Sequence, residues 1–232
     1  MRRTLIAAVL MMLAGSAHAT VITGTDIFLG STPGATFSSA PGSFELKTKG
    51  CTVGPGCPTG SYTGVGVSGG TAGEIDIDET ISATFDVPVT LDFFQLMVLY
   101  EGPEFDDVEE RAQVTVFFFG GGSATAELQT VFSVGGDFAT WTGAFGTVTN
   151  ISPAFEDEAA VWNVASPFGS ALIIGLEFTA VAGPCGDGEC DNQSDYSIES
   201  LGYTPVPEPG SLALLGGGLV ALRAALRRRR RS

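Results

Sequence analysis

The residues of this 232-residue chain able to do chemistry are almost all carboxylates, and they come in clusters. Three stand out: Glu74-Asp76-Asp78-Glu79, Glu104-Asp106-Asp107-Glu109-Glu110, and Asp187-Glu189-Asp191 with Asp195. Calcium requires about six to eight oxygen ligands, and carboxylates grouped on loops of an exported protein are its usual source. Glu74, Asp76, Asp187 and Asp195 are the expected ligands, and calcium is the one cofactor this composition suggests. The third cluster departs from an EF-hand loop, because Asn192 stands where the turn glycine belongs and Ile198 where the closing glutamate belongs. The alternative for each cluster is a solvated acidic surface.

Other chemistries lack their residues. The sole histidine, His18, lies in the N-terminal leader described below, which removes Ser-His and Cys-His nucleophiles and histidine-ligated zinc from the rest of the chain. Four cysteines form two close pairs, Cys51 with Cys57 and Cys185 with Cys190, each in a Gly/Pro-rich stretch. An even count in an exported chain predicts disulfides, and the two local pairings close the smallest loops. Trp141, Trp162, Tyr100 and Tyr196 are candidates for stacking on sugars, with core packing as the alternative. Paired acids could hydrolyse glycosides, but acids are so abundant here that no pair is distinctive.

The elements that must position these groups read as strands. In Glu74–Asp86 the residues Ile75, Ile77, Ile81, Ala83 and Phe85 alternate with polar ones, a period of two that buries one face and sends Asp76 and Asp78 outward, with Glu79 breaking the apolar row. Further strands are expected at 43–49, 89–100, 112–119, 123–134, 139–145, 160–164, 171–180 and 196–201, with those at 89–100 and 171–180 apolar on both faces and therefore central. Glycine-rich runs such as Gly64-Val65-Gly66-Val67-Ser68-Gly69-Gly70 read as punctuation, and the sole candidate helix is 153–160. The expectation is an all-β domain over 20–205, an antiparallel β-sandwich or jelly roll. Within it only Lys47, Lys49 and Arg111 oppose 25 acids, a net charge of −22 that disfavours nucleic acid and anionic surfaces as partners.

The two ends are addresses. Residues 1–19 run from Arg2-Arg3 through an apolar stretch, Leu5 to Ala14, to Ala17-His18-Ala19: a signal peptide cut before Thr20 by signal peptidase. Arg2-Arg3 lacks the rest of a twin-arginine motif, so general secretion is expected. At the other end Pro207 and Pro209 hold Pro207-Glu208-Pro209 extended. An uncharged run from Ser211 to Leu222 follows, then Arg223 and the block Arg227–Arg231. Twelve helical residues span about 18 Å against a hydrocarbon core of about 30 Å, so a short transmembrane helix must run on past Arg223, whose stem snorkels. The arginine block keeps that end cytoplasmic.

A Pro-Glu-Pro triplet, a short apolar helix with a glycine patch and a terminal arginine cluster, in this order over 206–232, resemble the PEP-CTERM sorting signal of Gram-negative bacteria. The resemblance implies recognition and removal of the tail by a membrane protease, the exosortase, and an association with exopolysaccharide and biofilm. Residues 64–104, with 194–201 later, also look like a β-sandwich found in other PEP-CTERM proteins, which carries over no catalytic residue. The expected protein is therefore a non-enzymatic cell-surface or matrix component, tethered at the inner membrane and then placed at the surface or outside. The alternative is a calcium-dependent carbohydrate-binding module, and a glycan-active enzyme stands behind both.

Overall fold

The computed structural model describes residues 18–50, 61–100, 109–131, 138–152, 161–183 and 194–206, with isolated parts of the tail at 216–219, 222, 223 and 227. Its strands are β1 (Thr20–Thr23), β2 (Ala35–Ala40), β3 (Phe44–Gly50), β4 (Ser61–Val67), β5 (Thr80–Met97), β6 (Arg111–Phe118), β7 (Ser123–Val131), β8 (Phe138–Trp141), β9 (Thr147–Asn150), β10 (Val161–Ala165), β11 (Ile173–Val181) and β12 (Ser197–Pro205), and one six-residue helix, α1 (Gly24–Leu29), follows β1. All pairings between these strands are antiparallel, so the all-β expectation holds.

The 18-residue β5 organises everything. Its first half pairs with β2 on one side and β11 on the other, its second half with β12 and β10. Between Thr84 and Val89 the ladder to β11 is interrupted, and Pro88, which has no N–H to donate, falls in the gap. One hydrogen-bonded network thus has two wings: β2-β5-β11-β6-β7-β8, and β3-β4-β12-β5-β10-β9 with β1 beside β12. Phe94 in the second wing meets Phe178 and Trp141 of the first edge-on at 5.9 and 5.4 Å, and Phe85 meets Tyr203 at 4.9 Å. The wings therefore close on a shared apolar core running from Ile22 and Val65 to Val114 and Leu128.

Alternation explains most of this. On β6 the inward residues are Ala112, Val114 and Val116, and on β7 Ala126, Leu128 and Thr130, each row period-two. The expected central strands are central, since β5 and β11 lie inside the order.

Several expectations need correction. Residues 74–79 are not strand: Asp78 takes a left-handed φ of 68°, turns the chain, and β5 starts only at Thr80. Glu79, which falls in the inward row, is buried, and so is Glu74, which alternation placed outward with Asp76 and Asp78. The first part of the expected punctuation, 64–67, belongs to β4, whose glycines are steric necessities. A Cβ on Gly64 would lie 2.7 Å from Met97 Sδ, and one on Gly66 only 2.4 Å from the Glu74 backbone. The strand expected at 139–145 ends at Trp141, and β9 follows separately. The helix expected at 153–160 and the leader to residue 17 lie outside the described residues. Among the described residues no helix is long and apolar enough to cross a membrane.

Candidate functional site

The bend in β5 gives the domain two unlike poles. Ser197 pairs with Met97 and Thr179 with Thr80, while the Tyr196 hydroxyl donates to the Thr179 carbonyl at 3.0 Å, so both outer ends of β5 meet at one pole. At the other, Val89 pairs with both Ile173 and Pro205, and the chain leaves the fold there.

The first pole is acidic. The loop after β4 wraps a carboxylate group: a Cβ on Gly69 would sit 2.2 Å from Glu79 Oε1, and one on Gly70 2.1 Å from Asp76 Oδ2. Glu74, 4% exposed, pairs with Lys47 Nζ from β3. The Thr71 amide donates to Asp76 Oδ2, and the Asp76 amide donates to Glu79 Oε2 at 3.0 Å. Asp195 arrives from the segment before β12, where the Thr71 hydroxyl donates to it at 3.3 Å.

Asp195 lies mostly out of water. Burial is the main cause of a pKa pushed up to about 9, reinforced by its hydrogen bond to Glu74 and by the charges of Glu74 and Asp76, and opposed by Thr71. At neutral pH its carboxyl therefore keeps its proton and donates it to Glu74. Three of the four expected calcium ligands thus share this pole, while Asp187 lies outside the described residues. Among the described residues no three of His, Cys, Asp and Glu are arranged to hold a metal. Within the group Lys47 meets Glu74, Asp195 keeps a proton, and the Thr71 amide meets Asp76.

Neighbouring groups are built similarly. Glu110 accepts from the Tyr100 amide, and its own amide donates to Thr130 Oγ1 at 2.8 Å. Glu109 accepts from Gln129. Glu104, Asp106, Asp107 and all four cysteines, Cys51, Cys57, Cys185 and Cys190, lie outside the described residues.

The aromatic candidates are largely core. Trp162 is 1% exposed and donates to the Leu99 carbonyl at 2.9 Å, Tyr196 is buried, and Trp141 packs on Phe94 and Phe168. Tyr100 carries Lys49 Nζ 5.1 Å from its ring centre.

The second pole holds both Thr20 and Val206. Thr20, the residue after the expected signal cut at Ala17-His18-Ala19, opens β1 and pairs with Tyr203, two residues before the end of β12. The last bond of the fold is the Val206 amide donating to the Pro88 carbonyl at 2.9 Å, immediately before Pro207-Glu208-Pro209, which lies outside the described residues. Residues 205–230 match the family description "PEP-CTERM protein-sorting motif". The chain carries a PEP-CTERM sorting motif. Neither a curated protein nor a solved structure matches it. The PEP-CTERM motif marks an exported protein that is processed at the membrane by an exosortase, and it starts on the last residue of β12, leaving no linker between fold and address.

Proposed function

We propose that this chain is a non-enzymatic component of the cell surface or extracellular matrix, associated with exopolysaccharide, delivered by its PEP-CTERM motif. A signal peptide over 1–19 starts export. The C-terminal segment then holds the domain at the inner membrane as a short transmembrane helix until the exosortase cuts near Pro207-Glu208-Pro209. What reaches the surface is a β-sandwich over 20–205, stapled by Cys51–Cys57 and Cys185–Cys190. The observation that carries this reading is the match over 205–230, set flush against β12.

The two prolines keep the peptide around Glu208 extended, the form a protease grips, and the arginine block keeps the tail from slipping across the membrane. Glu208→Ala is expected to leave export intact while an uncleaved, tail-bearing form accumulates in membranes. Fractionation and blotting of cells carrying the variant tests this, and wild-type-like processing would contradict it.

A second reading, a calcium-dependent carbohydrate-binding module, draws on the meeting of Glu74, Asp76 and Asp195 at one pole. A glycan array probed with and without calcium decides it, since only that reading expects calcium-dependent spots. An enzyme acting on glycans has least behind it, because the carboxylates of this pole are occupied by Lys47, Thr71 and each other.

A further inference from the structure

We infer that the pole bearing Thr20 and Val206 is a membrane-contacting face, on which the domain stands with exposed apolar side chains against the lipid surface while its tail is anchored. This rests on the tethering in the proposed function and adds the orientation and the contact residues.

The first observation is where the chain enters and leaves. Thr20 pairs with Tyr203, so both ends that lead to apolar sequence emerge side by side. Five residues, 15–19, separate the run Leu5–Ala14 from β1, and five more, 206–210, separate β12 from the run that starts at Ser211. Five extended residues reach at most about 17 Å. The nine residues of β12 alone span about 30 Å. Once the leader is cut before Thr20, the C-terminal tether is short enough to keep this pole at the surface and the acidic pole away from it.

The second observation is what this pole exposes. Val21 neighbours Thr20, and Val87 sits at the β5 bend beside Pro88. The Phe119 amide donates to the Leu172 carbonyl at 2.9 Å, one residue from Ile173, which pairs with Val89. Phe145 lies against Gly169, whose loop is tied through the Ser166 amide to the Asp92 carbonyl at 2.7 Å. Thr204 of β12 donates to Asp92 at 2.8 Å, which closes the circuit back to the exit. Phe119 and Phe145 are 54% and 61% exposed, and Phe117, Ile174, Val21 and Val87 are also exposed. Apolar side chains on a rim held at the headgroup region gain by burial there.

Charge agrees with this orientation. Among the described residues this pole carries the carboxylates Asp86 and Asp92, whereas Glu74, Asp76, Asp78, Glu79, Glu109, Glu110 and Asp195 gather at the other. An anionic bilayer repels the acidic pole and leaves the apolar one nearest.

The test uses the full, uncleaved chain, purified from cells lacking exosortase and reconstituted into phosphatidylethanolamine/phosphatidylglycerol vesicles with brominated acyl chains. A tryptophan is placed at Phe119→Trp or, as a second rim probe, Phe145→Trp. The control is Phe138→Trp, equally exposed but next to Val131 at the acidic pole. After subtracting Trp141 and Trp162, bromolipid should remove most of the emission added by either rim probe and none of that added at 138. Vesicle flotation with unquenched rim probes, or equal quenching at 138, overturns this inference alone. Failure of the full chain to float overturns the tethering reading as well.

Discussion

The two poles of this domain are built from opposite materials. At one, glycines bring the chain close over clustered carboxylates, of which Glu74 pairs with Lys47 and Asp195 keeps a proton while the others stay charged. At the other, side chains that strand alternation leaves outside are apolar, and the chain passes straight from β12 into its sorting motif. Acid density therefore does not mark the part of the molecule whose role is known. The acidic pole gathers carboxylates around one lysine, and the delivery function is attached at the pole with few charges.

The largest expected effect falls on what joins the poles. Phe94 touches Phe178, and also Trp141, whose indole donates to the Pro167 carbonyl at 3.4 Å. Phe94→Ala should lower stability by about 3–5 kcal/mol. Denaturant unfolding followed by near-UV circular dichroism and by tryptophan emission should still give coincident transitions, and separated ones would mean that the wings melt independently.

Next comes the lysine. Lys47→Met leaves Glu74 buried without its cation, which should cost roughly 1–3 kcal/mol. A loss below the error of the melt would show that the ion pair does not hold the acidic pole together.

The third effect is a slope, spread over pH, and no loss at one pH measures it. Asp195 binds its proton in the folded state up to about pH 9, whereas unfolded it ionises near its ordinary value of 3.8. Between those two values the folded state holds the extra proton, so this group's contribution to stability is greatest below the lower one, falls as pH rises, and levels off above about 9. Asp195→Asn should flatten that decline in melting temperature against pH. An unchanged slope would place the titration elsewhere.

Much of this was legible in the sequence, for physical reasons that can be named. Strands β6 and β7 announce themselves because one face of each meets the core and alternation survives, and β11 because its run is apolar on both faces. The join of two expected strands into β5 was hidden, because Pro88 reads as a break while the chain merely changes wing there. Gly64 and Gly66 were misleading for the opposite reason: absence of a side chain signals a turn in sequence, but here it lets strands approach. Helix α1 is too short to show a period, and its signals were local. Thr23 caps Asp26, whose carboxylate accepts from the Thr23 amide at 2.9 Å, and Gly30 ends the helix at φ 67°. At the acidic pole the grouping of Glu74 with Asp76 follows from proximity in sequence, but Asp195, more than a hundred residues away, is brought in by β12. The partner that sequence reasoning missed is Lys47, placed beside Glu74 by the β3–β4 pairing and by the bridge of Glu74 to Val67 at the end of β4.

The most direct test of the delivery account is the intact mass of the exported protein from cells with and without exosortase. With the enzyme, the mass should correspond to a chain that starts at Thr20 and lacks Leu212 to Ser232. Without it, those residues should be retained in a membrane-bound form. A wild-type mass that still includes Leu212 to Ser232 when exosortase is present would contradict the account and make the tail a permanent anchor.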